Sequence, residues 1–268
     1  MNSLGRCVVP DGNRGGHVQV EIWSDVVCPW CAIGKRRFEQ ALARFPHRDA
    51  VEVRWRSFEL DPSAPTERPE PLLDHLAAKY GTDRTQAQAF VDRMAGEAAK
   101  EGLDFHLDRA RPGNTFDAHR LLHLAADRGL QDAVKTRFMV GYLTEGQPVG
   151  DPGTLATLAV DAGLGEAEVR DVLAGDAYAT EVRADESTAR SLGIAGVPFF
   201  VVDRAMGASG AQPADTLLQL LERGWEAHNP LTLVGSTEQD GQDGEACGPD
   251  GCAPTPTGSA TPTASRKA

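Results

Sequence analysis

Residues 24–46 read SDVVCPWCAIGKRRFEQALARFP, and this stretch decides the predicted fold. Apolar side chains recur at helical spacing through its second half, and Pro29 suits the first turn of a helix, where its missing N–H is not needed. Pro46 ends the pattern. Upstream, residues 17–24 alternate between polar and apolar side chains, which predicts a β-strand. The Cys-Pro-Trp-Cys at residues 28–31 is therefore predicted to lie where a strand gives way to a helix.

Two cysteines with two residues between them at such a junction indicate redox chemistry. One helical turn brings both sulfurs within bonding distance, and the first, Cys28, meets unpaired N–H groups and the positive end of the helix dipole. This environment lowers the pKa of a thiol from its free value of about 8.5, so we expect Cys28 to be the exposed nucleophile. Cys31 is expected to be the shielded resolving thiol. Trp30 carries no charge, so we expect a less oxidising pair than histidine there would give.

The rest of the chain places this unit in a larger α/β fold. Residues 51–60 predict a second strand, and residues 70–192 read as consecutive helices. Strand patterns resume at residues 194–208, before a terminal helix at 212–228. Strand, helix and strand in this order imply a parallel pair with a right-handed crossover. Without the helical block the order is β-α-β followed by β-β-α, which predicts a thioredoxin fold with a large helical insertion.

Val197 and Pro198 are predicted to complete the site. In a thioredoxin-like layout, the strand that follows the insertion passes in front of the cysteine pair. The position favours a cis peptide bond at Pro198, although most X–Pro bonds are trans. A cis proline there would expose backbone polar groups that can pair with an extended substrate peptide.

Four separated blocks carry a family resemblance: SDVVCPWCAIGKRRFE, WRSFELDP, NTFDAHRLLHLA and GVPFFVVD. Together they resemble the DsbA-like thioredoxin superfamily, and most closely its cytosolic branch of 2-hydroxychromene-2-carboxylate isomerases and FrnE-type oxidoreductases. The resemblance covers roughly residues 18–228. It implies a thioredoxin fold with an inserted helical domain. It also implies dithiol–disulfide oxidoreductase activity at Cys28 and Cys31, with a cis Pro198 beside them.

Two other kinds of protein remain as alternatives. In relatives of the isomerase and kappa-class glutathione transferase branch, serine stands where this chain has Cys28, so the cysteine argues against isomerase activity. A glutathione-dependent isomerase or transferase would use Cys28 to stabilise a glutathione thiolate and would not need Cys31. The third hypothesis is a zinc protein, in which Cys28, Cys31, Cys247 and Cys252 bind the metal. A helix that starts at Pro29 argues against zinc.

The organisation predicted from these patterns has four parts. They are a flexible leader (1–16), a thioredoxin-like domain in two pieces (17–62 and 193–229), an inserted helical domain (63–192) and a low-complexity tail (230–268) that its composition predicts to be disordered. The tail carries Cys247 and Cys252, and FrnE-type relatives have a second cysteine pair with this spacing. We predict a second redox pair that exchanges electrons with the first; a local disulfide or two idle thiols is the alternative.

Further candidates lie beside the pair and in the helical block. Pro29 and Trp30 are expected to border the substrate cleft. His119 could line the cleft between insertion and thioredoxin domain, although a core or surface histidine is the preferred interpretation. Asn114 could face the same cleft, and helix capping explains it as well. For Asp25 we prefer a solvated strand-end carboxylate over a buried acid that relays protons during exchange.

Composition limits the partners and the compartment. The 268 residues include 27 Lys and Arg against 39 Asp and Glu, which gives a formal net charge of −12. This balance argues against nucleic acid or an anionic membrane as partner. The first 17 residues lack the apolar region of a secretory signal, so we expect a cytoplasmic protein. Expected partners are a disulfide-containing protein or small-thiol substrate and a cellular reductant, with glutathione as a candidate co-substrate, no tightly bound cofactor and no metal.

Overall fold

Strands and helices follow one another in the predicted order in the computed structural model, which describes residues 17–68 and 70–228. The strands are β1 (Val18–Ser24), β2 (Val51–Ser57), β3 (Phe199–Val202) and β4 (Met206–Ser209). The helices are α1 (Pro29–Arg44), α2 (Leu72–Tyr80), α3 (Arg84–Lys100), α4 (Phe116–Asp127), α5 (Gln131–Leu143), α6 (Pro152–Asp161), α7 (Glu166–Ala174), α8 (Ala179–Ser191) and α9 (Ala214–His228). Contacts divide the chain into residues 1–230 and 231–268, and every described residue belongs to the first unit.

The four strands form one mixed sheet in the order β2-β1-β3-β4. β1 runs parallel to β2, with Val18 opposite Val51, and α1 makes the crossover between them. β3 is antiparallel to both β1 and β4. Helices α2 to α8 all fall between β2 and β3 in the chain. The prediction of an α/β thioredoxin fold with a large helical insertion is therefore confirmed.

Two strands are shorter than their sequence patterns predict. β2 ends at Ser57 rather than residue 60, and the N–H of this last residue donates to the Asp185 carboxylate (2.9 Å). β3 begins only at Phe199, although the apolar pattern starts at residue 194. The segment before it contains Pro198, which has no N–H to donate to a ladder and follows a cis peptide bond. This segment contains Val197, whose carbonyl contacts the Cys28 thiol.

The sheet is covered on both faces, which explains why β1 is buried almost throughout. On one face Val20 and Ile22 of β1 pack with apolar residues of α1 and α9, including Phe38 and Leu221. On the other face Trp23 lies in a small cluster with residues from the end of α8 and from β3. Trp23 and Trp55 are both buried.

Cys28 and Cys31 belong to the largest apolar cluster of the helical block. They pack there with residues such as Met94 of α3, Leu121 of α4 and Tyr142 of α5. The helical block therefore covers the N-terminal end of α1, where the cysteines lie. Burial of the pair depends on side chains that come from distant parts of the sequence.

A buried ionic cluster fastens α8 to the edge of the sheet. Asp185 of α8 accepts hydrogen bonds from the Ser57 N–H (2.9 Å) and from Arg56 (3.0 Å), and its carbonyl accepts from the Trp23 indole (3.0 Å). Arg56 also pairs with Glu21 of β1. Removing one partner from such a buried pair typically costs about 3–5 kcal/mol. The cluster thus fixes the insertion on the sheet beside the cysteine end of α1.

Candidate functional site

The start of α1 holds both cysteines one helical turn apart, as predicted. Cys28 is the N-cap residue, Pro29 occupies the first turn, and the Cys31 N–H donates to the Cys28 carbonyl (3.0 Å). Both thiols are free in this structure. The arrangement is that of a dithiol placed to close into a disulfide.

Cys28 is not the exposed thiol with a lowered pKa that the sequence predicts. The residue is only 5% exposed, because the helical block packs over it, and Cys31 is fully buried. The pKa of Cys28 is raised well above its ordinary value, first by its side-chain interaction with Cys31, then by burial and by the charge of Asp25. The dithiol therefore carries at most one negative charge near neutral pH.

The Val197–Pro198 segment lies across from the pair, and its peptide bond is cis, as predicted. The Cys28 thiol donates to the Val197 carbonyl, with sulfur and oxygen 3.8 Å apart. Gly34 of α1 permits this approach: a Cβ at Gly34 would stand 2.8 Å from the Pro198 Cγ atom. An isolated glycine in a helix interior is a sequence signal for such close packing, and Gly34 was missed.

A cavity of about 280 Å³ opens beside Cys28. Pro29, Trp30 and Val197 line it, as the cleft prediction requires. Most of the remaining wall is apolar, and part of it comes from α2, α3 and α5. The wall also contains three basic side chains, Arg68, His75 and Lys79. A larger hollow of about 710 Å³ runs along β2, but no cysteine lines it, so we assign the chemistry to the smaller cavity.

Asn114 and His119 do not line this cavity. Asn114 instead precedes Thr115, the N-cap residue of α4, and its Oδ1 accepts a hydrogen bond from the Phe116 N–H (2.8 Å). His119 is fully buried behind the cavity wall. Asn114 therefore does not line the cavity beside Cys28, and its predicted cleft role stays a prediction. His119 is a buried residue of the helical block, as preferred, yet it lies next to a residue that does line the cavity.

That residue is Asp25, and the preference for a solvated carboxylate is wrong. Asp25 is 1% exposed, because Leu60 and His119 close over it. Its Oδ2 accepts from the Leu60 N–H (2.8 Å), and its Oδ1 lies 3.4 Å from His119 Nε2. Burial acts to raise the pKa of Asp25, but His119, the Leu60 N–H and the charge of Lys135 outweigh it and lower the pKa.

Lys135 of α5 is a second buried charge that the sequence analysis missed. Its ammonium group donates to the Ser24 carbonyl (3.4 Å) and stands over the Trp55 ring, 5.0 Å from the centroid. Burial lowers its pKa to about 8, against the opposing charges of Cys31 and Asp25. A signal was present, since Lys135 falls in the apolar stripe that Phe138 and Tyr142 continue at helical spacing.

Tyr142 brings a neutral hydrogen-bond donor to the cavity wall. Burial raises the pKa of its phenol, and the charges of Asp25 and Cys28 add to the effect. The hydroxyl therefore stays protonated over the range in which thiols exchange. The phenol supplies a donor near Cys28 without supplying a charge.

Some predicted residues lie outside the part of the chain that the structure describes. Cys247 and Cys252 are among them, so the second redox pair and the four-cysteine zinc site stay predictions. The remaining cysteine, Cys7, also lies outside the described residues. Within residues 17–68 and 70–228, no group of three or more His, Cys, Asp or Glu side chains is arranged to hold a metal ion. No helix in the same ranges is long and apolar enough to cross a membrane.

The family follows from a match over most of the chain. A family model described as a DSBA-like thioredoxin domain matches residues 19–222. The chain belongs to this family. A probable DsbA oxidoreductase from Streptomyces coelicolor is 53% identical, with a TM-score of 0.76 over 88% of this chain and 99% of that one. The uncharacterised protein YwbO of Bacillus subtilis is 29% identical over 72% of this chain and 92% of its own length.

Two less similar solved structures share the fold. The cytosolic disulfide reductase DsbM from Pseudomonas aeruginosa with GSH is 20% identical, with a TM-score of 0.55 over 76% of this chain and 98% of DsbM. A 2-hydroxychromene-2-carboxylate isomerase is 12% identical, with a TM-score of 0.57 over 80% of this chain and all of that one. The DsbA-like resemblance is thereby confirmed, with oxidoreductases and an isomerase both among its structural neighbours.

Proposed function

We propose that this member of the DSBA-like family is a protein thiol–disulfide oxidoreductase of the reductase or isomerase type. One observation carries the proposal: two free thiols, Cys28 and Cys31, lie one turn apart at the start of α1, and Cys28 faces the cis Val197–Pro198 segment. A structural cysteine pair has no need of an adjoining cavity or of a buried carboxylate beside it. Both are features that the transfer of electrons and protons requires.

Reduction of a substrate disulfide then runs in two exchange steps. The Cys28 thiolate attacks one substrate sulfur, a Cys28–substrate disulfide forms, and the other substrate sulfur leaves as a thiolate that takes a proton from solvent. The Cys31 thiol loses its proton and attacks Cys28. A Cys28–Cys31 disulfide forms, and the second substrate sulfur leaves with the electron pair and is protonated. Two electrons pass to the substrate, and an external thiol must restore the dithiol.

The cavity suggests where the substrate or the reductant lies. Its volume suits a small thiol or the side chains that flank a protein disulfide, and the neighbouring backbone of Val197 can pair with an extended peptide. Arg68 of the cavity wall pairs with Asp61, and burial lowers the pKa of His75, so Lys79 is the basic side chain that would favour a ligand with a carboxylate. We include glutathione as a candidate co-substrate, which the structure of DsbM with GSH supports by analogy alone, and we place the reaction in a cytoplasm that supplies such thiols.

Serine variants test the proposal through insulin reduction with dithiothreitol as reductant. We expect Cys28→Ser to lose at least 100-fold in rate, because the attacking sulfur is gone. Cys31→Ser should accumulate the Cys28–substrate disulfide, visible as a mass increase, because the resolving thiol is missing. Cys7→Ser is the control and should match the wild type. Insulin reduction that survives in Cys28→Ser would show that the proposal is wrong.

The glutathione-dependent isomerase or transferase remains the alternative, and the small, mostly apolar cavity beside Cys28 is the observation that favours it. A disulfide reductase requires the Cys31 thiol, whereas a glutathione-dependent isomerase or transferase does not. An isomerase needs a single thiol or hydroxyl to hold the glutathione thiolate, so turnover of a small aromatic would survive in Cys31→Ser. Glutathione-dependent turnover of that kind, together with no insulin reduction by the wild type, would favour the alternative.

A further inference from the structure

Two buried hydroxyl groups line the cavity beside Cys28. Thr115 at the start of α4 and Tyr142 on α5 are each 3% exposed, and both belong to the wall of that cavity. Among residues 17–68 and 70–228, neither side-chain hydroxyl has a hydrogen-bond partner. Buried hydroxyls are ordinarily hydrogen-bonded, and a buried tyrosine usually finds a partner for its O–H. The two hydroxyls are therefore available to a molecule that occupies the cavity.

Thr115 does not have the role that threonine ordinarily has at its position. It is the N-cap residue of α4, where a threonine side chain usually accepts a hydrogen bond from an N–H of the first turn. Its backbone lies outside the extended region typical of an N-cap (φ −110°, ψ 4°), and its side chain makes no capping bond. Asn114 instead accepts the Phe116 N–H, at 2.8 Å. The Thr115 hydroxyl is thus left for the cavity.

The hydroxyl of Tyr142 keeps its proton while thiols exchange. Burial raises the pKa of the phenol, and the charges of Asp25 and Cys28 act in the same direction. The hydroxyl of threonine does not ionise at these pH values either. Both groups can therefore donate hydrogen bonds to an anion, and in a mostly apolar cavity such bonds are stronger than in water.

A sulfur anion that forms during the reaction suits the two hydroxyls better than a permanent anion does. Asp25 lines the same cavity, and its pKa is lowered, so its negative charge disfavours any anion bound there. Neutral donors offset this repulsion only when charge develops beside them, which stabilises a transition state more than the bound substrate. The first exchange step creates such a charge, because a substrate sulfur leaves as Cys28 attacks.

We propose that the hydroxyls of Thr115 and Tyr142 donate hydrogen bonds to the substrate sulfur that leaves in the first exchange step. The inference rests on the proposed function. The Cys28 thiolate attacks one sulfur of the substrate disulfide, a Cys28–substrate bond forms and the substrate S–S bond breaks. The electron pair of the broken bond stays on the second sulfur, which accepts the two hydrogen bonds and then takes a proton from solvent. The helical insertion thereby supplies two catalytic residues.

Substitutions that preserve side-chain shape test the hydroxyls in the Cys31→Ser protein, in which the reaction stops after the first exchange. Tyr142→Phe and Thr115→Val remove the two donors. With 2-hydroxyethyl disulfide, whose leaving thiolate is strongly basic, we expect each variant to slow release of the thiol by about fivefold or more. With 2,2′-dipyridyl disulfide, whose leaving thiolate is weakly basic, the change should stay below about twofold, since a good leaving group needs little stabilisation.

Two matched substitutions outside the cavity are the controls. Tyr178→Phe removes a phenol that donates to Asp127 (2.7 Å), and Thr157→Val removes a hydroxyl that donates to the Gly153 carbonyl (3.1 Å). Both should leave the rates with either disulfide unchanged. Alkylation of Cys28 by iodoacetamide should be equally fast in all these proteins, because the attacking thiolate is the same.

Stability is the measurement that a purely structural role would change. Because neither hydroxyl has a partner among the described residues, Tyr142→Phe and Thr115→Val should unfold at the same urea concentration as the parent protein or at a higher one. Lower stability with unchanged rates would overturn the assignment. Equal slowing with both disulfides, or slower alkylation of Cys28 in step with the disulfide rates, would overturn it as well.

Failure of the proposed function gives a different result from failure of this inference. If the parent protein with Cys28 intact reacts with neither disulfide, the proposed function is wrong and the inference falls with it. If the parent protein reacts, and Tyr142→Phe, Thr115→Val and the double variant all react at its rate with 2-hydroxyethyl disulfide, the function stands and the role of the two hydroxyls is wrong.

Discussion

The buried ammonium group of Lys135 links the stability of the protein to pH. Burial lowers its pKa to about 8, from an ordinary value of 10.5. Between these two values the unfolded chain holds a proton on this lysine that the folded chain has released, so the free energy of unfolding rises with pH across that window. Below pH 8 both states are protonated, and the fold carries the full cost of the buried charge. At about 1.4 kcal/mol per pH unit, that cost is on the order of 3 kcal/mol.

A methionine in place of Lys135 should remove this dependence. Lys135→Met keeps the length of the side chain and removes the charge, and replacing a buried ion with an apolar group is often stabilising. We expect a gain at pH 7 of up to about 3 kcal/mol in the free energy of unfolding. The rise between pH 8 and 10.5 should be absent. Urea denaturation at pH 7, 8.5 and 10 measures both effects.

Lys100→Met is the control, because Lys100 lies at the exposed end of α3. This variant should show the same rise in stability with pH as the wild type. A Lys135→Met protein that is less stable than wild type at pH 7 would contradict the prediction. It would mean that Asp25 and Cys31 depend on the ammonium charge more than its burial costs.

Single residues were predictable from the sequence where their chemistry requires a fixed local spacing. Cys28 and Cys31 must share a helical turn, so their positions follow from the residues around them. The burial of Asp25 does not, since the His119 that covers it stands 94 positions later in the chain. An Asp at a strand end is ordinarily solvated, and only the packing of α4 against that end reverses the expectation. The exposure of Cys28 was misjudged for the same reason.

At the scale of elements, α1 can approach the Val197–Pro198 segment only because of one glycine. A Cβ on Gly34 would lie 2.8 Å from Pro198 Cγ and 3.4 Å from Phe200 Cζ, so α1 or the segment would have to shift. Pro198 is anchored on its other side, since its carbonyl accepts the Gly210 N–H (2.8 Å). The separation of Cys28 from the Val197 carbonyl therefore depends on the absence of a side chain at Gly34.

Gly34→Ala should be destabilising although it places alanine in a helix. Glycine to alanine in a helix interior ordinarily stabilises by about 0.5–1 kcal/mol. The overpacking expected at this position costs about 1–3 kcal/mol, which exceeds that gain. We expect a net loss of stability, and slower insulin reduction because the displaced segment no longer meets Cys28. Gly96→Ala in α3 is the control: no atom lies within 4 Å of its added Cβ, so it should stabilise the protein and leave the rate unchanged.

If Gly34→Ala were as stabilising as Gly96→Ala, the contact with Pro198 would not restrict the position.

The start of β3 shows why this contact was not predicted. The run Val197-Pro198-Phe199-Phe200 reads as one apolar strand, and the pattern of side chains carries no information about the cis bond within it. Elements were predictable from periodicity, and the cis bond at Pro198 was predicted from its place in a thioredoxin-like layout; the contact between Pro198 and Gly34 was not predicted.

At the scale of the whole molecule, the site is built by two parts of the chain, the thioredoxin-like part and the helical insertion. The sheet and α1 present the cysteines, and the helical insertion supplies His119, Lys135 and Tyr142 together with most of the cavity wall. After one turnover, the oxidised pair would lie in this enclosed site. An external reductant must then either enter the cavity itself or pass its electrons through a smaller thiol group that reaches Cys28.

A second cysteine pair on the same chain would meet that need. Cys247 and Cys252 lie outside the described residues, about twenty positions after α9 ends at His228. Cys247 would attack Cys28 of the Cys28–Cys31 disulfide and release the Cys31 thiolate. Cys252 would then attack Cys247 and release the Cys28 thiolate, which leaves a Cys247–Cys252 disulfide for an external thiol to reduce.

This relay predicts different behaviour in single and multiple turnovers. In Cys247→Ser/Cys252→Ser, one turnover of the pre-reduced protein should proceed at the wild-type rate, because Cys28 and Cys31 are intact. Repeated turnovers with a bulky protein reductant should slow several-fold, since that reductant must now reach the enclosed pair directly. A small dithiol at high concentration should restore the rate, and Cys7→Ser should change neither phase. Equal rates for wild type and double variant with every reductant would show that the two thiols do not relay electrons and that the cavity itself admits the reductant.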